Sequence, residues 1–144
     1  MSGVRAFVDT NVLIYLYSDI DHIKQKQAFW ALSQYDCQIS TQVINEFNSV
    51  CIRKWKAPEE NLLHAIKRIC SYCDVVYVYE DTIEKALGIH EKYGYAYYDS
   101  LIIASALEHD SQYLFTEDMA DGQVIEGRLT IKNIFTMDGF TENR

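Results

Sequence analysis

Short apolar runs alternate with longer amphipathic segments along this chain, and the alternation predicts the order of its strands and helices. Runs typical of strands lie at residues 5–8, 38–40, 74–79, 113–115 and 129–131. The stretches between them have helical length or periodicity, at about 12–17, 23–35, 42–55, 58–73, 83–93 and 99–107. Strands that alternate with helices or helix pairs form parallel sheets with right-handed crossovers. We therefore expect an α/β fold with a parallel sheet of four to five strands and helices on both faces.

The segment from Tyr93 to Asp118 brings two carboxylates together from two different elements. Gly94 is a plausible end for the preceding helix, and Asp99 is typical of a residue that opens the next one. Residues 101–107 are almost wholly apolar, which predicts a helix buried against the sheet. The strand at 113–115 is closed by Asp118. Because ligands of open α/β sheets bind at the carboxyl ends of the strands, these acids mark a candidate site.

A third carboxylate, Asp9, ends the first predicted strand and stands beside a predicted helix N-terminus. Thr10 and Asn11 follow it, and either can cap that helix by accepting hydrogen bonds from its free amides. Asp9 therefore occupies the same kind of position as Asp118. An isolated Asp-Thr-Asn sequence is equally consistent with a carboxylate that serves only as a helix cap.

Glu46 lies on the predicted helix at 42–55, three residues after Val43 and four before Val50. Helical geometry puts it at the edge of the apolar face instead of opposite that face. The alternative is that Glu46 is an ion-pair partner of Arg53 or Lys54. Its assignment to a site depends on the other acids nearby.

The four acids Asp9, Glu46, Asp99 and Asp118 come from separate elements that can converge on one edge of the sheet, with Asp121 nearby. Unit charges ~4 Å apart repel by about 4 kcal/mol at an effective dielectric of 20. Divalent cations with oxygen ligands remove that repulsion, and a carboxylate set favours Mg²⁺ or Mn²⁺ over zinc. Neutral groups that could orient ligands or water at the same edge are Thr10, Asn11, Ser100 and Thr116.

The charge of the chain limits how it could bind nucleic acid. A formal net charge of −8 and a pI near 4.9 argue against a surface that holds a polyanion by electrostatics alone. A polyanionic substrate would need metal ions as intermediaries. Tyr97 and Tyr98 could stack an unpaired base, although aromatic residues beside a buried helix more often belong to the core.

Length and composition predict a single domain over residues 1–144, with 49% hydrophobic residues for its core. No apolar run approaches membrane-spanning length and the first residues do not form a signal-peptide core, so we expect a cytoplasmic protein without membrane contact. Cys70 and Cys73 form a CxxC spacing, but they continue an apolar helical stripe and no second CxxC completes a zinc site. We expect both in the core.

Taken in order, these motifs resemble the PIN domain, and among PIN proteins the VapC-type toxins of bacterial toxin-antitoxin pairs. The resemblance rests on residues 9–11, Glu46, residues 98–107, residues 116–119 and residues 121–123, and it covers essentially the whole chain. It implies a three-layer, Rossmann-like α/β/α fold and a Mg²⁺- or Mn²⁺-dependent ribonuclease that acts on RNA. It also implies a homodimer inhibited by a small antitoxin protein.

The resemblance carries an acidic quartet onto this chain position by position. Asp9, Glu46, Asp99 and Asp118 match that quartet, and Thr116 matches the hydroxyl before its last acid. Asp118 and Asp121 could each fill, or share, the fourth place.

Two other functions remain open. The first is a phosphatase of the haloacid dehalogenase type with Asp9 as nucleophile, although such enzymes need a second Asp where this chain has Asn11. The second is a catalytically silent binding module whose acids are ordinary helix caps. Metal binding would distinguish the nuclease from the silent module, and a covalent aspartyl-phosphate would identify the phosphatase.

Overall fold

The structure, a computed structural model, describes residues 3–137 of the chain. Its strands are β1 (Arg5–Val8), β2 (Asp36–Ser40), β3 (Cys73–Val76), β4 (Tyr113–Phe115), β5 (Val124–Ile125) and β6 (Leu129–Lys132). Its α-helices are α1 (Thr10–Tyr17), α2 (His22–Gln34), α3 (Thr41–Trp55), α4 (Glu59–Tyr72), α5 (Glu80–Tyr93) and α6 (Tyr97–Glu108). A short 3₁₀ turn follows at Ile134–Thr136. Each of the five predicted strands corresponds to an observed one.

The sheet has the strand order β3-β2-β1-β4-β6-β5. The pairs β1 with β2, β1 with β4, β2 with β3 and β4 with β6 are all parallel, which confirms the predicted α/β architecture. The predicted count of four to five strands was wrong, because β5 adds a sixth, antiparallel to β6. That strand is only two residues long, too short to show any hydrophobic periodicity in the sequence.

The centre of the fold is apolar on both faces of the sheet. Ala6, Phe7 and Val8 of β1 are completely buried, as expected for a parallel strand covered by helices on both sides. Helix α6 is buried at eight consecutive positions, Ser100 to Leu107, which confirms the prediction of a helix packed against the sheet.

Three chain segments leave the carboxyl edge of adjacent strands. Asp9 follows β1, Ser40 ends β2 and caps α3, and residues 116–118 follow β4. Because β1 lies between β2 and β4 in a parallel sheet, these segments emerge side by side. None of the helices within residues 3–137 is long and apolar enough to span a membrane.

Several boundaries differ from the sequence prediction. Helix α6 begins at Tyr97, so Asp99 lies within its first turn and does not open it. Asp118 lies three residues beyond the end of β4. Cys73 is buried at the start of β3, but Cys70 is exposed on α4, so its placement in the core was wrong. The buried side of α4 is narrow, because Ile69 is its only buried residue and Leu62 and Ala65 are partly buried against the core, while Cys70 lies outside that contact.

Candidate active site

Asp9 is fixed at the centre of the carboxyl edge by bonds to two neighbouring elements. Its Oδ1 accepts a hydrogen bond from the Thr10 amide at 2.7 Å, and its Oδ2 accepts one from the Thr116 hydroxyl at 2.8 Å. Its own amide donates to the Phe115 carbonyl at 3.0 Å. Asp9 is itself the N-cap of α1, a role that the sequence left open between Asp9 and the two residues after it, Thr10 and Asn11. The cap engages one carboxylate oxygen, and the other faces the loop after β4.

Burial and neighbouring acids make the Asp9 carboxyl hard to ionise. Its side chain is 6% exposed, and this desolvation is the largest contribution that raises the pKa of Asp9 from 3.8 to about 6. The bonds from Thr116 and Thr10 lower the pKa, and the charges of Asp99 and Glu46 raise it. Three of the four predicted acids therefore act on one another electrostatically.

Glu46 is joined to Asp9 through Thr10. The Thr10 hydroxyl donates to Glu46 Oε2 at 2.8 Å, while the Thr10 amide donates to Asp9. Glu46 Oε1 accepts from the side-chain amide of Gln42 at 3.2 Å. Arg53 and Lys54 lie in the last turn of α3, and no salt bridge joins either of them to Glu46 within the described residues.

Asp99 and Asp118 complete the acidic face. Asp99 is half-buried, and its pKa is raised first by burial and then by the charges of Glu46 and Asp118. Asp118 is exposed and accepts a hydrogen bond from the Asn11 side-chain amide. The Asp118 amide donates to the Thr116 hydroxyl at 3.3 Å, so one hydroxyl contacts both Asp9 and the Asp118 loop.

Two other candidate residues, Asp121 and Ser100, form hydrogen bonds with groups outside the carboxylate cluster. Asp121 is exposed, and its Oδ1 accepts from the Asn133 amide at 2.8 Å, which ties its turn to the residue after β6. Ser100 is completely buried, and its hydroxyl donates to the Ala96 carbonyl at 3.0 Å, within its own helix. These bonds engage Asp121 in loop structure and direct the Ser100 hydroxyl away from the carboxylates.

A brace beside the site was missed by the sequence reasoning. Lys24 on α2 forms a salt bridge with Glu117, the residue before Asp118, and Tyr15 on α1 donates to the same carboxylate at 2.9 Å. The Lys24 ammonium also lies 4.7 Å from the centroid of the Tyr15 ring. Lys24 and Glu117 are 93 residues apart, so no local pattern connects them. In the sequence, only the short Thr-Glu-Asp turn after a strand suggests that the Glu117 side chain has a fixed partner.

The variant Lys24→Met tests whether this brace stabilises the Asp118 loop. The Lys24 and Glu117 side chains are 30% and 24% exposed, and a partly buried charged hydrogen bond of this kind stabilises by roughly 1 kcal/mol. We expect the melting temperature to fall by about 2–4 °C. The control is Lys92→Met, whose pair with Glu126 is 62% and 40% exposed and should matter less. Equal melting temperatures for the two variants would show that the brace contributes nothing special.

The donor set fits a hard divalent cation by its chemistry. Asp9, Glu46, Asp99 and Asp118 supply oxygen ligands only. A cation would offset the burial, and the smaller repulsion between carboxylates, that raise the pKa of Asp9 and of Asp99. As they stand, no three His, Cys, Asp or Glu side chains among residues 3–137 are grouped closely enough to hold a metal ion. The predicted metal site therefore stays a prediction.

Comparison with known proteins places this arrangement in a family. The family model of the PIN domain matches residues 6–120 of the chain. Comparison with curated protein sequences gave no match.

Solved structures share the fold over most of the chain. A toxin-antitoxin complex from Klebsiella pneumoniae matches with a TM-score of 0.67 at 21% identity, covering 90% of this chain and 97% of that one. VapC20 of Mycobacterium tuberculosis, described as a sarcin-ricin loop cleaving toxin, matches with a TM-score of 0.65 at 18% identity, covering 78% and 89%. FitAcB from Neisseria gonorrhoeae matches with a TM-score of 0.66 at 16% identity, covering 92% and 99%. At these identities the likeness establishes a common fold.

Proposed function

The chain belongs to the PIN domain family, and from this membership we propose that it is a metal-dependent endoribonuclease, the toxin of a toxin-antitoxin pair. The observation that carries the proposal is Asp9, a buried carboxylate held in one orientation by Thr10 and Thr116 within the electrostatic field of Asp99 and Glu46. The ionised form of such a buried carboxylate has a high free energy unless a cation lies beside it. VapC20, which shares the fold, is described as a sarcin-ricin loop cleaving toxin.

We assign Asp9, Glu46, Asp99 and Asp118 as the ligands of Mg²⁺ or Mn²⁺, with Asp121 as a further candidate. When bound, such an ion would polarise a phosphodiester and lower the pKa of an attacking water. Thr116 and Thr10 keep the Asp9 oxygens in place, and Asn11 holds Asp118 toward the same edge. Glu46 is half-buried, and the Thr10 hydroxyl that donates to it links it to Asp9.

The phosphatase alternative receives no support from Asn11, two residues after Asp9. Asn11 donates its amide to Asp118, so this position supplies an orienting donor and not the second carboxylate of such enzymes. The silent-module alternative takes Asp9 as a cap alone, yet the Thr116 hydroxyl binds the oxygen that the cap leaves free. Both contacts favour the nuclease.

A small antitoxin protein is the proposed partner, and exposed apolar side chains support such a surface. Six of them lie on α2, the end of α3 and α4, and the rings of Phe29 and Tyr72 are 6.1 Å apart across α2 and α4. The six are Ile23, Phe29, Ile52, Trp55, Leu63 and Tyr72, all between 37% and 54% exposed. Apolar groups exposed in this number on neighbouring helices commonly mark protein-protein contacts. A basic inhibitor segment would complement the acidic site. We further propose that residues 1–144 form one domain and act as a homodimer in the cytoplasm.

The proposal is tested by incubating purified protein with RNA in Mg²⁺, in Mn²⁺ and in a chelator. We expect cleavage with either metal, no cleavage in the chelator, and recovery when metal is restored, because the carboxylates alone cannot approach a phosphate. Recovery after chelation also controls for unfolding. Cleavage that persists in excess chelator would refute the metal-dependent mechanism, and a phosphorylated Asp9 after incubation with a phosphate ester would instead establish the phosphatase.

A further inference from the structure

A pocket opens beside Glu46, between α3 and the first turn of α6. Its volume is about 460 Å³, and its walls include Gln42, Asn45, Glu46 and Ser49 of α3 with Tyr98 and Leu101 of α6. Volumes of roughly 300–1,000 Å³ are typical of sites for small ligands. Glu46 is shared between this pocket and the carboxylate cluster, so a group bound here would adjoin the candidate site.

Tyr98 is an exposed aromatic wall of this pocket, held on a fixed backbone. It is 64% exposed, so its ring contributes little to the core. Its carbonyl accepts a hydrogen bond from the Gln42 side chain at 3.0 Å, and its ring contacts the edge of Tyr97 with centroids 5.4 Å apart. The next residue is Asp99. An aromatic face therefore lies open to solvent one residue from a proposed metal ligand.

The polar wall of the pocket is held in place by Gln42, which is 9% exposed. Its amide nitrogen donates to both the Tyr98 carbonyl and Glu46 Oε1, which fixes its orientation between α3 and α6. Asn45 and Ser49 are exposed and line the same pocket. They supply the donors and acceptors that a ligand in the pocket can reach.

Electrostatics excludes the phosphate backbone as the main source of affinity. The chain has 21 acidic and 13 basic residues, and the pocket itself carries the Glu46 carboxylate. Phosphates are repelled here, so binding energy has to come from uncharged parts of a nucleotide. A nucleobase supplies them, since its flat faces stack on aromatic rings and its edges carry amino donors.

We propose that this pocket receives one unpaired base of a single-stranded RNA, stacked on Tyr98 with its edge toward Asn45 and Ser49. The inference rests on the proposed function and names the form of RNA it acts on. Bases in an A-form duplex are stacked on each other and unavailable to such a pocket, which selects loops and unpaired ends.

The test measures binding of a fluorescent single-stranded RNA and of a set in which each base in turn is removed. Binding is followed by anisotropy in Mg²⁺, in an Asp9→Asn background that blocks cleavage. Tyr98→Ala should raise Kd by roughly 5- to 150-fold, which converts to ~1–3 kcal/mol for one stacked base. Tyr98→Phe should stay within about twofold, since it keeps the aromatic face. Tyr77→Ala, at a tyrosine that is 59% exposed and does not line the pocket, is the matched control and should leave Kd unchanged.

The decisive comparison combines the variant with the abasic RNAs. If Tyr98 stacks one base, Tyr98→Ala adds no further loss for the RNA that lacks that base and its full loss for the others. Equal losses across the whole set, or none, would overturn the subsite. If the unaltered protein cleaves RNA in Mg²⁺ but Tyr98→Ala binds normally, only this inference fails. If the unaltered protein neither binds nor cleaves RNA, the proposed function fails as well. A Tyr98→Ala protein that loses a dimer in sedimentation would reassign the pocket to a subunit contact and overturn the proposal.

Discussion

Asparagine in place of Asp9 is expected to abolish RNA cleavage while making the metal-free protein more stable at neutral pH. Burial raises the pKa of Asp9 to about 6 in the folded protein, against 3.8 for an aspartate free in water. A raised pKa means that the folded state binds the proton more tightly, so the contribution of Asp9 to stability is complete below pH 3.8 and is lost as pH rises through about 6. Two pKa units correspond to about 3 kcal/mol, which asparagine largely recovers.

The gain should be smaller than that limit, ~1–3 kcal/mol, because the asparagine amide cannot accept from both Thr10 and Thr116. Thermal melts without metal at pH 5 and pH 8 measure the effect, and the difference between parent and variant should grow with pH. Mg²⁺ should raise the melting temperature of the parent more than that of Asp9→Asn. Cleavage should fall by more than ~100-fold, since loss of even an outer-shell partner costs roughly 10- to 100-fold.

Asp110→Asn provides the control for loss of one negative charge. Asp110 follows α6 at the opposite end of β4, and its side chain is 80% exposed, so stability, metal response and cleavage should barely move. Asp99→Asn should resemble Asp9→Asn with a smaller gain, because Asp99 is only half-buried. A pH-independent difference between Asp9→Asn and parent would show that the Asp9 carboxyl titrates normally.

Valine in place of Thr116 is expected to weaken both the fold and the activity. The Thr116 side chain is completely buried, and its hydroxyl donates to Asp9 and accepts from the Asp118 amide. Valine has nearly the same shape but lacks the hydroxyl, so the Asp9 oxygen loses a donor and the Asp118 amide loses an acceptor. Leaving such groups unsatisfied should cost about 1–3 kcal/mol. Cleavage should fall roughly 10- to 100-fold through misplacement of Asp9 and Asp118.

The destabilisation caused by Thr116→Val should increase with pH. Asp9→Asn has the opposite sign, because its stabilisation of the protein increases with pH. The Thr116 bond lowers the pKa of Asp9, so its removal penalises the ionised carboxylate and the destabilisation should be largest above pH 6. Denaturant titrations at pH 5 and pH 8 measure it. Thr116→Ser should restore most of the stability and activity, and Thr130→Val on β6 controls for a hydroxyl lost elsewhere. If serine fails to rescue, the methyl group and not the hydroxyl is what matters.

The fold was predictable because its central elements obey simple patterns. The apolar run at residues 5–8 became β1 without a change of boundary, and residues 101–107 lie within the buried helix α6. Burial on both faces leaves these segments few polar positions, so their apolar composition identifies them. The convergence of Asp9, Glu46 and Asp99 also followed from their places after strands or on helices at one edge. Their roles as metal ligands stay a prediction.

What could not be predicted depends on contacts between distant residues. The sequence does not show that the Ser100 hydroxyl binds its own helix, that Asp121 caps a loop at Asn133, or that Lys24 reaches Glu117. The direction of such a side chain is decided by tertiary packing, which local sequence propensity does not report. The two-residue strand β5 was missed for a related reason, since it exists only through its pairing with β6.

The bond between Thr116 and Asp9 also constrains when the site can form during synthesis. Its partners are 107 residues apart, and β1 lies at the centre of the sheet between β2 and the much later β4. At roughly 5–20 residues per second, the ribosome adds Thr116 about 5–20 s after Asp9. A nascent chain therefore carries Asp9 without its hydroxyl partner or Asp118 for that whole interval. The proposed site therefore stays incomplete until residues 116–118 have been synthesised.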